Sequence, residues 1–304
     1  MLALSTSWQS SETATAAEMI AAFKSLGINA IELSYRISEA MFRQLQELLK
    51  RSGIKVVSVH NYFPIPSVRL NVKASGDLFL LSSLDGEERR DAIRFTKKTI
   101  ETAAELEARA VVLHCGAVEM NHEMHALYQF FHTNRLGSVK AQTFIRNKLK
   151  ERDRLKSRHI SRLLSSLDHL TTIAEERGVL LGLENRYHYH ELPGFDDFSI
   201  IFDTFKGAPL GYWHDAGHAH ANEVLGLIPK NALLHRFADQ LIGVHLHDAV
   251  GLDDHIPPGS GEINYSILKS CLKKTTIKVI ELKPGISNTE VLKGIQYVAE
   301  VLLN

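Results

Sequence analysis

Short apolar runs alternate along the chain with longer stretches in which apolar residues recur at helical spacing. A short apolar run bounded by turn residues is typical of a strand buried in a parallel sheet, and recurrence every three to four residues predicts an amphipathic helix. The order of strand then helix repeats eight times. The predicted strands are 2–5, 30–33, 55–59, 110–114, 180–184, 211–214, 242–247 and 278–282. The predicted helices are 15–26, 38–51, 87–107, 140–177, 196–206, 222–239, 264–273 and 288–302.

Local signals mark the ends of several predicted helices. Side chains that accept hydrogen bonds from the first free N–H groups of a helix stand at Ser38, Asp85, Asn264 and Asn288. Gly178 follows the helix before the fifth strand, where a left-handed residue ends a helix without steric cost. Eight strand–helix units in 304 residues match a (β/α)8 barrel, which typically takes about 250 residues plus insertions. We therefore predict an α/β fold, a TIM barrel forming a single domain over residues 1–304.

Two long segments interrupt this regularity, at 61–86 and 116–138. Both follow predicted strands, so both belong to the face of the barrel formed by the carboxyl ends of the strands, where active sites of such barrels lie. Two interpretations are open for each segment. It is either solvated decoration or a lid over the site.

Composition and charge narrow the class of protein. Hydrophobic residues make up 44% and charged residues 23% of the chain, as in globular domains, and no apolar run is long enough for a membrane-spanning helix. The amino terminus resembles neither a signal nor a transit peptide, and the two cysteines, Cys115 and Cys271, cannot form a disulfide framework. We expect a cytoplasmic protein. The formal net charge is zero, whereas a nucleic-acid binder usually has an excess of basic residues.

Imidazole or carboxylate groups stand at the carboxyl ends of six predicted strands. They belong to His60, His114, Glu184, Asp215, His245 and Glu281. Taken singly, each is explained as well by a structural hydrogen bond or ion pair. Together they would place several carboxylates around one axis, and burying those without a cation costs desolvation and repulsion. The sequence therefore predicts a divalent metal site, with Zn, Mn, Co or Mg as the candidate ions.

Two further clusters extend the candidate site. His218 follows Asp215 by three residues across a strand-to-helix turn, a spacing that lets both side chains reach one cavity. Asp253 and His255 fall on one side of a loop that a Pro-Pro-Gly segment stiffens at 257–259. The remaining histidines, such as His122, His188 and His190, have no comparable argument and are interpreted as surface or core residues.

The motifs that carry these residues resemble those of the xylose isomerase-like barrel superfamily, which includes sugar isomerases and epimerases and the endonuclease IV nucleases. The motifs are GLEN at 182–185, WHDAGH at 213–218, HLHD at 245–248, DDHIPPG at 253–259 and IELKP at 280–284. Any one of them is a weak signal. Their order along nearly the whole chain makes the resemblance specific.

The resemblance implies a set of metal ligands. Glu184, Asp215, His245 and Glu281 match the four ligands that the sugar enzymes use for one divalent ion. His60, His114 and Glu184 match a second zinc site of the nuclease branch, and His218, Asp253 and His255 match its third. We therefore expect one divalent ion and up to three.

The resemblance also implies a reaction. In a sugar isomerase or epimerase, Glu184 and Glu281 would be the acid and base on opposite faces of an open-chain sugar or sugar phosphate, with proton transfer through an ene-diolate stabilised by the metal. His218, His247 and Arg186 would then bind substrate hydroxyls or a phosphate.

Two alternatives stay open, an endonuclease IV-like zinc phosphodiesterase acting on abasic DNA and a related sugar-acid dehydratase. A nuclease needs many phosphate contacts from Lys and Arg. The most basic segment, 146–158, has interleaved acidic residues at helical spacing, which favours a solvated helix face. We therefore expect a small-molecule substrate, neither nucleic acid nor membrane as partner, and outer helices that can support a homo-oligomer.

Overall fold

The computed structural model describes residues 1–10, 15–66 and 74–303. Eight parallel strands close into a barrel, in the spatial order β1, β10, β7, β6, β5, β4, β3, β2. Strands β8 and β9 form a separate antiparallel hairpin after β7. The strands are β1 (Leu2–Ser5), β2 (Ala30–Leu33), β3 (Lys55–His60), β4 (Ala110–Leu113), β5 (Leu180–Glu184), β6 (Leu210–Asp215), β7 (Leu241–Leu246), β8 (Asp248–Val250), β9 (Asp253–Ile256) and β10 (Ile277–Ile280).

Helices surround the barrel on its outer side. They are α1 (Ala16–Ser25), α2 (Glu39–Ser52), α3 (Gly86–Glu105), α4 (Met124–His132), α5 (Val139–Arg177), α6 (Asp197–Thr204), α7 (Ala216–Val224), α8 (Ala232–Phe237), α9 (Tyr265–Cys271) and α10 (Asn288–Val298). Short 3-10 turns cover Thr6–Gln9 and Ala238–Gln240, and a π-helical turn covers Ala299–Leu303. Every helix in the described ranges is too short or too polar to cross a membrane.

The predicted TIM barrel is confirmed, and each predicted strand overlaps an observed one. The predicted helix over 222–239 is wrong in its bounds, because α7 begins directly after β6 and the chain then turns before α8. The carboxylate of Asp215 causes this early start by accepting the backbone N–H of His218 as a helix cap. The cap predicted at Asn288 is also wrong, since Ser287 caps α10 in a capping box with Glu290.

Trp213 is the largest side chain of an apolar cluster inside the barrel. Trp213 packs there against a cluster that includes Ala3, Ala30, Ala110 and Val279. Such a large indole fits because the neighbouring strands carry glycines whose backbone approaches it closely. A larger apolar core, between the strands and the helices, holds the outer layer in place.

The segment at 116–138 contains helix α4, which the sequence interpretation did not include. Leu127 of this helix is fully buried in a small cluster with Ile145 of α5 and Tyr189 of the loop after β5. Phe131 packs against Gly251 in the β8–β9 turn. The segment is therefore a packed part of the fold beside the carboxyl ends of the strands. The other segment, 61–86, includes residues 67–73, which lie outside the described residues.

We expect Gly243→Ala to lower the free energy of unfolding by about 1–3 kcal/mol, the usual cost of overpacking a core. A β-carbon at Gly243 would overlap the ring of Trp213, which is fully buried and cannot move aside. Chemical denaturation measures the change. Gly137→Ala is the matched control, because a β-carbon there meets nothing within 4 Å. Equal stability of the two variants would contradict the tight fit.

Candidate metal centre

Parallel strands bring the predicted ligands together at one end of the barrel. Glu184 is the last residue of β5, Asp215 is the last residue of β6, and Glu281 follows β10. The register pairs His245 of β7 with Asp215 on one side and with Val279 of β10 on the other. All four of these polar residues are buried. The carboxyl-end geometry of the closed sheet thus aims them at a common point.

The four residues form a compact donor set around the imidazole of His245. Its Nδ1 atom lies 2.9 Å from Glu184 Oε1, 3.0 Å from Glu281 Oε2 and 3.5 Å from Asp215 Oδ2. One potential ligand atom from each of the four lies within 4.8 Å of the others. Three buried carboxylates around one imidazole repel each other and lose hydration, and a divalent cation compensates both effects. The donor set therefore fits a divalent metal ion.

The charges in the cluster shift the pKa values of His245 and Glu184 in opposite directions. Burial opposes a charge on His245, but the Glu281, Glu32 and Glu184 carboxylates outweigh it and raise the pKa of His245 well above its usual value. Burial likewise opposes ionisation of Glu184, yet the charge on His245 and hydrogen bonding to neighbouring histidines lower its pKa well below the usual range. A metal ion bound here would displace protons, so metal binding should weaken as the pH falls.

A second cluster joins His60 and His114 to the other oxygen of Glu184. The Nε2 atoms of the two histidines lie 3.4 and 2.8 Å from Glu184 Oε2. Among the described residues, this oxygen has no partner with hydrogen-bond geometry. The three residues also satisfy the spacing of a metal site, with ligand atoms within 4.8 Å of one another. A buried carboxylate oxygen that faces two imidazole nitrogens is an arrangement that a bound cation would complete.

The outer nitrogens of these histidines fix the direction of the inner ones. His60 Nδ1 lies 3.0 Å from the carbonyl oxygen of Asn61, and His114 Nδ1 lies 2.9 Å from Asp77 Oδ2. Carbonyl and carboxylate oxygens only accept, so each Nδ1 donates its proton. When either ring is neutral, it therefore presents its Nε2 lone pair to the cluster, as metal-ligating histidines usually do.

The residues predicted for a third site are not all brought together. His218 Nδ1 donates to the carbonyl of Asn185 at 3.0 Å, and His255 Nε2 lies 3.7 Å from Glu281 Oε2. The carboxylate of Asp253, however, is 70% exposed and bonds Lys283 Nζ at 2.7 Å. The residues that do meet the spacing of a metal site at this end are Asp215, His247 and His255.

His247 has both ring nitrogens occupied. Its Nδ1 accepts the backbone N–H of His255 at 2.9 Å, so in the neutral ring the proton is on Nε2. That Nε2 lies 3.0 Å from both carboxylate oxygens of Asp215. In this geometry both ring nitrogens of His247 make hydrogen bonds, and the ring orients the carboxylate of Asp215. His255 adopts a left-handed backbone, with φ of 56°, in making this contact.

Arg186 lies beside the second cluster in a buried ionic network. Its Nη2 is 2.8 Å from Asp77 and 3.4 Å from Glu191, and its Nη1 is 3.7 Å from Glu184 Oε2. Its Nε and Nη1 have no hydrogen-bond acceptor among the described residues. Asp77 comes from the long loop after β3, where no periodicity or motif singled it out. Its carboxylate orients both His114 and Arg186.

Tyr35 and Glu32 are two more site residues that sequence reasoning missed. The ring of Tyr35, just after β2, lies 4.9 Å from that of His60. Burial and the Glu281 carboxylate raise the pKa of this phenol, so it stays neutral. Glu32 lies within β2 and contacts the far side of His245. A glutamate inside a short apolar strand carried no signal beyond its own polarity.

Three histidines that the sequence left without a role cluster outside the metal centre. The rings of His122 and His190 stack at 4.2 Å, and His188 Nδ1 lies 3.1 Å from Glu191. Burial, opposed in part by Glu191, lowers the pKa of His190 to about 4. Within the described residues, these three histidines do not form a group of potential metal-ligand atoms that all lie within 4.8 Å of one another.

We expect His190 to make the protein less stable as the pH falls from about 6.5 towards 4. In that window the unfolded chain binds a proton that the folded chain excludes, so stability rises with pH. His190→Phe keeps a stacking ring and removes the proton. Its unfolding free energy should fall less steeply on acidification, by up to about 1.4 kcal/mol per pH unit. Denaturation across pH measures both slopes, which should coincide above pH 7; equal slopes below about 6.5 would contradict the burial of a neutral ring.

Two uncharacterized proteins share part of the sequence. An uncharacterized protein from Methanocaldococcus jannaschii is 26% identical over 211 residues, which cover 67% of this chain and 66% of the relative. The chain thus spans slightly less than two thirds of the length of that relative. A second uncharacterized protein from that organism is 25% identical over 276 residues, covering 86% of this chain and 77% of the relative.

Solved structures with the same architecture include sugar epimerases. A D-tagatose 3-epimerase-like protein superposes with a TM-score of 0.67 at 19% identity, covering 99% of this chain and 97% of that one. An L-ribulose 3-epimerase superposes with a TM-score of 0.69 at 13% identity, covering 99% and 94%. At these identities the likeness is one of fold. The family model described as xylose isomerase-like TIM barrel matches residues 20–300, and this chain therefore belongs to the xylose isomerase-like TIM barrel family.

Proposed function

We propose that the protein is a divalent-metal-dependent isomerase or epimerase acting on a sugar or sugar phosphate. The observation that carries the proposal is the convergence of two buried glutamates, Glu184 and Glu281, whose carboxylate oxygens lie 2.9 and 3.0 Å from His245 Nδ1. Two carboxylates that converge on one cavity could exchange a proton with a substrate carbon held between them. Membership of the family and the sugar epimerases among the matching structures support this class of chemistry.

Glu184, Asp215, His245 and Glu281 would hold the metal ion, which would polarise the substrate carbonyl and a neighbouring hydroxyl and so favour an ene-diolate. The chain's own carboxylates then handle the proton. The ionised form of Glu281, whose low pKa is set against burial by the charges of His245 and His255, is the form that a base requires. Glu184 is the matching acid or base on the opposite face.

Two side chains are placed to bind the substrate's oxygens. His218 has its Nδ1 committed to the Asn185 carbonyl, so its Nε2 is free to meet a hydroxyl. The buried Nε and Nη1 atoms of Arg186 have no hydrogen-bond acceptor among the described residues. A sugar oxygen entering between them would satisfy donors that burial otherwise penalises.

The second metal cluster favours a competing function, a zinc phosphodiesterase acting on abasic DNA. His60 and His114 converge on Glu184, as the nuclease branch would require. The basic segment on α5, however, has three of its seven basic side chains paired with carboxylates among the described residues. Arg152 and Lys156 pair with buried Asp197, and Lys148 pairs with Glu123 and Glu151. Paired cations contribute less to phosphate binding, which leaves sugar chemistry as the better-supported proposal.

Glu281→Gln should abolish deuterium incorporation from heavy water into a ketose substrate, because the amide keeps the shape but cannot act as a base. The expected loss is about 10²–10⁴-fold in exchange rate, measured by NMR over a panel of ketoses and their phosphates. Metal content must be verified, since an amide is also a weaker ligand. Glu262→Gln, at a side chain 54% exposed, is the matched control. Cleavage of an abasic duplex, with no exchange into any ketose, would overturn the proposed function and leave the metal centre in place.

We expect two zinc ions per chain at saturating zinc, and one in the His60→Gln, His114→Gln double variant, because the first ion needs neither histidine. Metal analysis after gel filtration counts the ions. Circular dichroism spectra should match between the two proteins. A count of one ion in the wild type would reassign both histidines to substrate binding.

A further inference from the structure

Glu32 is a buried carboxylate that the proposed reaction does not use. It lies in β2 with no exposed surface, and its Oε1 and Oε2 lie 3.1 and 3.2 Å from His245 Nε2. Strands β2 and β7 are not neighbours, since β1 and β10 stand between them in the barrel. The contact therefore crosses the barrel interior. Ser58 of β3 donates its hydroxyl to Glu32 Oε2 at 2.8 Å and holds the carboxylate in this direction.

The two nitrogens of His245 face opposite chemical surroundings. Nδ1 faces the three carboxylates of the four-residue donor set, and Nε2 faces Glu32. Glu32 is not among the residues whose atoms meet the spacing of a metal site. A carboxylate only accepts hydrogen bonds, so the Nε2 proton is the one that it holds. With that proton fixed, the neutral ring presents its Nδ1 lone pair to a cation.

We propose that Glu32 is a positioning residue whose negative charge raises the affinity of the four-residue site for a divalent cation. It does so in two ways, by holding the His245 ring at the angle that aims Nδ1 into the site and by making that nitrogen a stronger donor. A neutral acceptor supplies the first effect alone, as the Asn61 carbonyl does for His60. The proposal rests on the metal dependence of the proposed function and says how that dependence is set.

The test compares variants that separate charge from packing. Glu32→Gln keeps the size of the side chain and an oxygen for Nε2, but removes the charge. Ser58→Ala removes the hydroxyl that contacts Glu32 and keeps the charge. The dissociation constant of Zn²⁺ is measured on metal-free protein by competition with a chromophoric chelator. We expect Glu32→Gln to weaken zinc binding by about 10–100-fold, the usual effect of losing a charged partner behind a ligand, and Ser58→Ala to weaken it only a few-fold.

Conservative replacement supplies a further check. Glu32→Asp retains the charge at a shorter reach, so it should recover part of the affinity that Glu32→Gln loses. Equal affinities of wild type and Glu32→Gln, or equal losses in Glu32→Gln and Ser58→Ala, would overturn the proposal in favour of a packing role. The unfolding temperature of each metal-free variant shows whether the variant is folded when its affinity is measured.

A measurement on the wild type keeps the proposal falsifiable if Glu32→Gln does not fold. In zinc-loaded protein, the nitrogen-15 spectrum of the His245 ring should show a proton retained on Nε2 and the metal on Nδ1. Coordination through Nε2 would overturn the assignment. Neither measurement uses a substrate. An inactive panel of ketoses combined with the expected loss of zinc affinity would therefore reject the proposed function and leave the role of Glu32 intact.

Discussion

The repulsion among buried carboxylates at the carboxyl end of the barrel is the constraint on which the site depends. Glu184, Asp215 and Glu281 are all within 3.5 Å of a single imidazole nitrogen, and each is nearly or fully buried. Such a group persists only with compensating positive charge. Protonated imidazoles can supply that charge, since the neighbouring carboxylates raise the pKa of His245 well above its usual value, and Asp77 and Glu184 raise that of His114 to about 9 against the effects of burial and Arg186. A cation and these protons therefore compete for the same place.

Hydrogen bonds from the surrounding structure determine which nitrogen of each histidine faces the cavity. His60, His114 and His218 each commit Nδ1 to an oxygen acceptor, and all three thereby free Nε2 for the cavity. His245 is the reverse case, with Nε2 directed at Glu32 and Nδ1 directed at the three carboxylates. The acceptors come from different parts of the fold, from strand ends, from the loop after β3 and from a strand across the barrel. Orientation of the ligands is therefore a property of the closed barrel as a whole.

The site residues at the strand ends could be predicted from the sequence because two independent patterns coincide there. An apolar run predicts each strand, and the first polar residue after it identifies the side chain that reaches the site, as with Glu184 and Glu281. Glu32 could not be predicted in this way, because it lies inside the run AIEL and only closure of the barrel brings it to His245. Asp77 escapes because a loop has no period from which its direction could be read.

The β8–β9 hairpin shows why spacing alone misplaces a side chain. Asp253 and His255 are two residues apart, which suggests a shared face in an extended loop. The hairpin pairs Asp253 with Val250 and Asp248 with Ile256, with a register shift between them, and the left-handed backbone of His255 breaks the alternation. As a result Asp253 turns towards Lys283, while the backbone N–H of His255 reaches His247. Through His247, the hairpin fixes the orientation of Asp215. A displacement of this loop would therefore act on the metal centre by way of Asp215, even though the exposed carboxylate of Asp253 lies outside it.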